Sequence, residues 1–177
     1  MNKIDFLPKL SAYFDVKPSL EQVLIWAEGS EWKDATVKNL KEDDGIKFLK
    51  SFRDSSITGL KKHRDEINAL ISEFVEEYAS RNNLEGLELE QLSFVRYTVG
   101  QFFAEHSDGG PNLPRRLSMV LYLNDNYSGG EIYFTKFKSV FKPVAGTLFL
   151  FPSTEEYSHA AQPVVDGTKY VMVGFWK

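Results

Sequence analysis

Few residues in this chain of 177 can carry chemistry beyond the ordinary work of charge and packing. It has no cysteine and three histidines, His63, His106 and His159. The lack of cysteine excludes disulfide frameworks, thiolate zinc sites, iron–sulfur clusters and thiol nucleophiles together. A metal site must therefore use imidazoles and carboxylates. His106-Ser107-Asp108 offers one such pair at a spacing of two. On an extended segment, residues i and i+2 project from the same face, so both side chains can converge on one ion. His159 is the other histidine of that half, and it stands just before a further strand-like run.

Two histidines and one carboxylate are a known donor set for iron, and they leave coordination positions open. A bland reading stands beside it: H-x-D also occurs by chance as polar loop residues after a strand. The Gly/Pro-rich loop GGPNLP that follows Asp108 is of the kind that borders functional sites. Lys169 is the second feature. With Val171, Val173 and Phe175 it shares one strand face that is otherwise apolar. A buried lysine needs an anionic partner, because an unpaired buried charge is costly. Either it snorkels to water from an edge, or its partner is the carboxylate of a ligand. His63 lies in the basic run Lys61-Lys62-His63-Arg64 on a helical segment and reads as a solvated face.

These side chains need a frame. In the first ninety residues, Pro18-Ser19 precedes LEQVLIWAE and Asp43-Asp44 precedes GIKFLKSF, both with apolar spacings of three or four. From about Thr58 to Arg81 an apolar stripe of Leu60, Ile67, Leu70, Ile71, Phe74, Val75 and Tyr78 predicts a long helix that must pack on something. After Asn82-Asn83 the texture changes. LSFVRYTV, RLSMVLYLN, EIYFTKF, SVFKPV, TLFLFP, HAAQPVV and TKYVMVGFW are short, rich in β-branched and aromatic residues, and punctuated by turn signals, as in a β-sandwich or barrel. The expectation is one domain over 1–177, mainly helical support over 1–90 and a β core over 91–177. Charge agrees with that division: residues 1–90 carry 13 basic and 18 acidic side chains, residues 91–177 carry 8 and 7. The net charge of −4 offers no attraction for phosphate backbones, so no nucleic-acid partner is expected. There is no run of 18 apolar residues and no signal-peptide core at the start, so no membrane partner and a cytoplasmic location are expected.

Several segments together resemble the prolyl 4-hydroxylase branch of the Fe(II)- and 2-oxoglutarate-dependent dioxygenases. They are Arg96-Tyr97 with Gly100, Phe103 to Asp108, Arg116 to Asn124, Tyr127-Ser128-Gly129-Gly130-Glu131, Pro143 with Gly146, and His159 through Pro163 and Gly167 to Lys169-Tyr170. The resemblance implies an α+β fold: a double-stranded β-helix, jelly-roll-like, with the N-terminal helices packed on one sheet. It implies Fe(II) at His106, Asp108 and His159, with 2-oxoglutarate and O2 as co-substrates and ascorbate as reductant. It further implies that Lys169 and Tyr122 meet the distal carboxylate of 2-oxoglutarate, that Tyr97 lines the same pocket, and that Arg115 or Arg116 contacts substrate. The implied reaction is hydroxylation of a prolyl residue in a peptide or protein, with release of succinate and CO2. The same chemistry on a free amino acid or small metabolite is the alternative within the class, and a non-catalytic β-barrel binding module the alternative outside it. Collagen is not the expected substrate, since the sequence carries no additional peptide-binding domain.

Overall fold

The computed structural model describes residues 2–14, 20–35, 37–38, 46–47, 50–60 and 63–177. Its elements begin with β1 (Asn2–Leu7), β2 (Leu10–Phe14), α1 (Leu20–Glu28), β3 (Lys33–Asp34), β4 (Val37–Lys38), β5 (Ile46–Lys47), β6 (Arg53–Asp54), β7 (Ser56–Gly59) and α2 (Arg64–Arg81). The remainder is β8 (Leu89–Tyr97), β9 (Phe102–His106), β10 (Leu117–Tyr122), β11 (Ser128–Gly129), β12 (Ile132–Phe134), β13 (Ser139–Phe141), β14 (Leu148–Pro152), β15 (His159–Ala161), β16 (Val164–Asp166) and β17 (Lys169–Trp176), with a 3-10 turn at Glu155–Tyr157.

Side-chain alternation in the central strands builds two cores, because both faces of the larger sheet are covered. Leu117, Met119 and Leu121 of β10 join Leu148 and Leu150 of β14, Met172 of β17 and Phe94 of β8 in a cluster with Val23 and Ala27 of α1 and Ile67, Ile71 and Phe74 of α2. The residues between them, such as Tyr122, Phe149, Phe151, Val171, Val95 and Tyr97, form a second cluster with Ile132 and Phe134 of the smaller sheet. A strand buried on both faces loses the apolar–polar alternation that a half-buried strand shows, which is why RLSMVLYLN reads as a nearly continuous apolar run. Each fully buried large side chain contributes about 1.5–3 kcal/mol, so the helices are held by their apolar stripe and not by helix propensity.

The larger sheet has the order β1-β2-β14-β10-β17-β8-β7-β3 and the smaller β13-β12-β15-β9-β6. Their paired strands run antiparallel, and two short pairs, β4 with β5 and β11 with β16, complete the described elements. This is a double-stranded β-helix core with helices packed on one sheet, as the resemblance implied.

The front half departs from the expectation of a mainly helical support. Among its described residues two helices alternate with seven strands. GIKFLKSF is not helical where it is described: Ile46–Lys47 is a strand and residues 50–52 form a turn. The long helix begins at Arg64, not near Thr58, because Ser56–Gly59 pairs with Ser93 to Arg96 of β8 and extends the larger sheet. Leu60 is buried beneath the helix without belonging to it. The start signals Pro18-Ser19 and Asp43-Asp44 lie outside the described residues, as do Lys61 and Lys62. His63 is half-buried and stacks on Trp26, with ring centroids 3.9 Å apart, in place of the solvated position expected of it. No helix among the described residues is long and apolar enough to cross a membrane.

Candidate active site

β9 and β15 are neighbours in the smaller sheet, and their register sets His106 directly opposite His159. Asp108 follows β9 by two residues in a loop that folds back on the sheet. The Gly109 N–H donates to the Ser153 carbonyl at 2.7 Å, and Gly110 bridges to Leu113. There is no room for a larger residue at Gly109, where a Cβ would stand 2.7 Å from the Arg115 carbonyl oxygen and 3.0 Å from that of Ser153. Asp108 is thereby held between the imidazoles. Its Oδ1 lies 3.5 Å from His106 Nε2 and its Oδ2 3.8 Å from His159 Nε2. One ligand atom from each of the three residues falls within 4.8 Å of the others.

The far side of each ring fixes its proton. His106 Nδ1 is 2.8 Å from the Ala104 carbonyl and His159 Nδ1 is 3.0 Å from that of Tyr157. A carbonyl only accepts, so each neutral ring carries its proton on Nδ1 and turns a free Nε2 lone pair toward Asp108. His106 also stacks on Phe103, and Phe134 and Phe151 pack against His159. Burial pushes His159 down to about 4, an effect that Asp108 opposes, so the ring is neutral at pH 7. Burial alone would push the Asp108 carboxyl up, yet the charge of the imidazolium forms beside it, His159 first, with hydrogen bonds from protonated His106 and from Ser118, holds it well below the usual carboxylate range. The set therefore offers two imidazole nitrogens and one carboxylate, with His159 neutral and Asp108 ionised at pH 7.

Lys169 opens β17 and is 2% exposed. Its Nζ donates to the Gly130 carbonyl at 2.7 Å and lies 5.2 Å from the ring centroids of both Tyr97 and Tyr122. Among the described residues no carboxylate stands within ion-pair distance of it. Burial pushes its ammonium down to about 7, with only the more distant charge of Glu131 acting the other way. Burial likewise raises the Tyr97 and Tyr122 phenols, which stay protonated and able to donate. Lys169, both tyrosines and the His–Asp–His set line one cavity of about 960 Å³.

Of the two candidate arginines the fold brings one to this cavity. Arg115 lines it, stacks 3.8 Å over Phe175 and pairs with Glu90 at 2.8 Å. Arg116 is exposed and donates to the Glu85 carbonyl instead. Four further charged residues line the cavity wall without any sequence signal that assigns them to it: Lys33, Arg53, Arg64 and Glu90. Arg53 comes to the site only through the pairing of β6 with β9, where it lies opposite Phe103. No local pattern in the sequence marks that pairing.

The donor set suits a divalent iron ion: two imidazoles of fixed tautomer and an ionised carboxylate on one side, with a cavity on the other. A buried ammonium with no carboxylate of its own suits one end of a dicarboxylic 2-oxo acid. Residues 92–177 match the model of the 2OG-Fe(II) oxygenase superfamily. A protein of Acanthamoeba polyphaga mimivirus, assigned by name to the prolyl 4-hydroxylases, is 28% identical over 127 residues, 59% of this chain and 51% of that one. The chain thus spans about half the length of this relative. Solved structures share the fold. A Pseudomonas putida prolyl-4-hydroxylase aligns at TM-score 0.75 and 22% identity, covering 96% of this chain and 92% of its own. The viral collagen prolyl hydroxylase of Paramecium bursaria Chlorella virus-1, in complex with 2OG, aligns at 0.72 and 21%, covering 96% of each. A Trichoplax adhaerens prolyl hydroxylase bound to a peptide of the hypoxia inducible factor oxygen degradation domain aligns at 0.72 and 17%, covering 95% of this chain and 83% of its own.

Proposed function

We propose that this chain, whose residues 92–177 match the 2OG-Fe(II) oxygenase superfamily, is an oxygenase of the prolyl 4-hydroxylase-like kind that hydroxylates a prolyl residue in a peptide or protein. The observation that carries the reading is the shared cavity, in which the His106, Asp108 and His159 donors and the carboxylate-free Lys169 meet. His106, Asp108 and His159 would hold Fe(II). Iron held there would, with 2-oxoglutarate and O2, supply oxidising chemistry in which one oxygen atom ends in succinate, released with CO2, and the other in a C–H bond of the substrate.

The protein's own groups do the rest by placement. Lys169 would pair with the distal carboxylate of 2-oxoglutarate, and Tyr122 would donate a hydrogen bond to it. A charge pair in so dry a place is far stronger than in water. Val171 and Phe149, buried in the inner core, exclude water from that end. Tyr97 would close the co-substrate pocket from β8, and Arg115 would meet the substrate. A cavity that runs from the buried Lys169 to the exposed Lys33 and Arg64 has space for a peptide segment beyond the co-substrate. That the Trichoplax relative is solved with a peptide supports a polypeptide substrate here.

The test is turnover with purified protein, Fe(II), 2-oxoglutarate and ascorbate against proline-containing peptides, the free amino acid and buffer alone. Peptide-dependent succinate release with a mass gain of one oxygen atom on proline is the expected result. Release that depends on the free amino acid moves the substrate to small metabolites. No succinate under any condition, with no binding of Fe(II) or 2-oxoglutarate, overturns the enzyme reading.

A further inference from the structure

Four cationic side chains besides Lys169 line the cavity: Lys33, Arg53, Arg64 and Arg115. Apart from Asp108, one carboxylate lines it, that of Glu90, and Arg115 already holds it at 2.8 Å. Lys33, Arg53 and Arg64 have no carboxylate within ion-pair distance among the described residues. Composition does not account for the cluster, since all three belong to residues 1–90, where acids outnumber bases 18 to 13. They come from β3, β6 and the first position of α2, three separate elements that lie outside the 92–177 match.

Arg53 is the most constrained of the three. It lies 4.4 Å over the Phe103 ring and its Nε donates to Ser55 Oγ at 3.0 Å. Burial disfavours its charged form, and Asp108, the one carboxylate whose charge supports it, is a proposed metal ligand. An arginine kept half-buried without an acid of its own is costly unless a ligand brings one. Lys33 and Arg64 are exposed, where the cavity meets solvent. Between these charges the wall is apolar, with Phe52, Leu113 and Phe175.

We propose that this cavity selects an acidic peptide, one whose carboxylate side chains flank the residue to be modified and pair with Arg53, Lys33 and Arg64. The proposal rests on the hydroxylase reading for the word "modified" and on the wall alone for the word "acidic". Nucleic acid meets the same charges less well. A phosphate backbone requires an extended basic surface, and this protein has a net charge of −4 with three cations along the wall of one cavity.

The test is a binding measurement that needs no turnover. Protein loaded anaerobically with Fe(II) and 2-oxoglutarate is titrated, by fluorescence polarisation, with labelled peptides of one proline-centred core flanked by Asp/Glu or by Lys. The acidic peptide is expected to bind at least about tenfold more tightly at low salt, the ratio set by one charged hydrogen bond, and the gap should narrow as ionic strength rises. Arg53→Gln should cost about tenfold in affinity for the acidic peptide, and the double charge reversal Lys33→Glu with Arg64→Glu should turn the preference toward the lysine peptide. Equal or tighter binding of the lysine peptide by the unmodified protein overturns the proposal. So does tighter binding of a short single-stranded RNA than of the acidic peptide. If the acidic peptide binds selectively but no peptide is hydroxylated, the charge selection stands and the hydroxylase reading falls.

Discussion

His106 and His159 face each other across the β9–β15 pair, and each is tethered through Nδ1 to the carbonyl two residues before it. The symmetry follows from strand geometry, and it fixes both tautomers before any ion binds. Removal of either ring should abolish metal binding instead of merely weakening it. His106→Ala is expected to lower Fe(II) or Mn(II) affinity by more than the roughly 10- to 100-fold that loss of an outer hydrogen-bond partner costs. Metal at about 100 times its Kd should stabilise the unmodified protein by about 2.7 kcal/mol and the variant by nothing measurable, which a pair of thermal melts would reveal.

Lys169 gives a pH dependence whose sign is fixed by burial. Its ammonium has a pKa of about 7 in the folded protein without ligand, against an ordinary value of 10.5. Between those values the unfolded chain binds the proton that the folded one has lost, so this group makes stability rise with pH from about 7 toward 10.5. Denaturant unfolding of the metal-free protein at pH 7, 8 and 9 should show that rise, and Lys169→Met should remove it. The same substitution should leave the protein at least as stable at pH 7, because it deletes a buried charge without a carboxylate partner.

Affinity for 2-oxoglutarate should carry the opposite slope. A dicarboxylate beside Lys169 favours the protonated lysine, so binding takes up a proton wherever the free lysine is neutral. Above pH 7 the Kd should climb, approaching tenfold per pH unit, and calorimetry in buffers of different ionisation enthalpy should register the proton. Lys169→Met should bind weakly at every pH, with no slope.

Arg115 and Arg116 are adjacent in sequence but separated by the fold. Arg115→Gln breaks the pair with Glu90 and the stack on Phe175 inside the cavity. It should raise the KM for a peptide substrate about tenfold or more, since a lost hydrogen bond to a charged group costs about 1.5–3 kcal/mol. Arg116→Gln loses one exposed contact to a carbonyl. It should leave the KM for peptide and for 2-oxoglutarate within about twofold, in keeping with an exposed substitution. Steady-state kinetics on the two variants would separate them.

Much of the back half is legible in the sequence because turn signals bound its strands and because three histidines leave few ways to build a metal site. The front half is not, and for physical reasons. β3 and β6 are two residues long and exist by pairing with partners distant in sequence, Ile57 for Lys33 and Phe103 for Arg53. Such strands have no period to detect. Charge density misleads there too, since short edge strands tolerate charge as well as an exposed helix does. The same long-range pairing hides Arg53, whose approach to the cavity is a property of sheet order and not of any motif around it.

The loop that carries Asp108 makes a local prediction with an internal control. At Gly109 a methyl group would meet two backbone carbonyl oxygens, at 2.7 and 3.0 Å, and one of these is the acceptor that anchors the loop. At Gly110, one residue on, the same methyl group meets nothing within 4 Å. Backbone cannot swing aside as a flexible side chain can, so Gly109→Ala should cost about 1–3 kcal/mol in denaturant unfolding, as overpacked sites do. Because the displaced residue follows Asp108 directly, metal affinity should fall with it. Gly110→Ala should leave the unfolding midpoint within the about 0.5 kcal/mol typical of open surface positions, and metal affinity unchanged. Equal behaviour of the two variants would mean that the Ser153 carbonyl does not hold this loop in place.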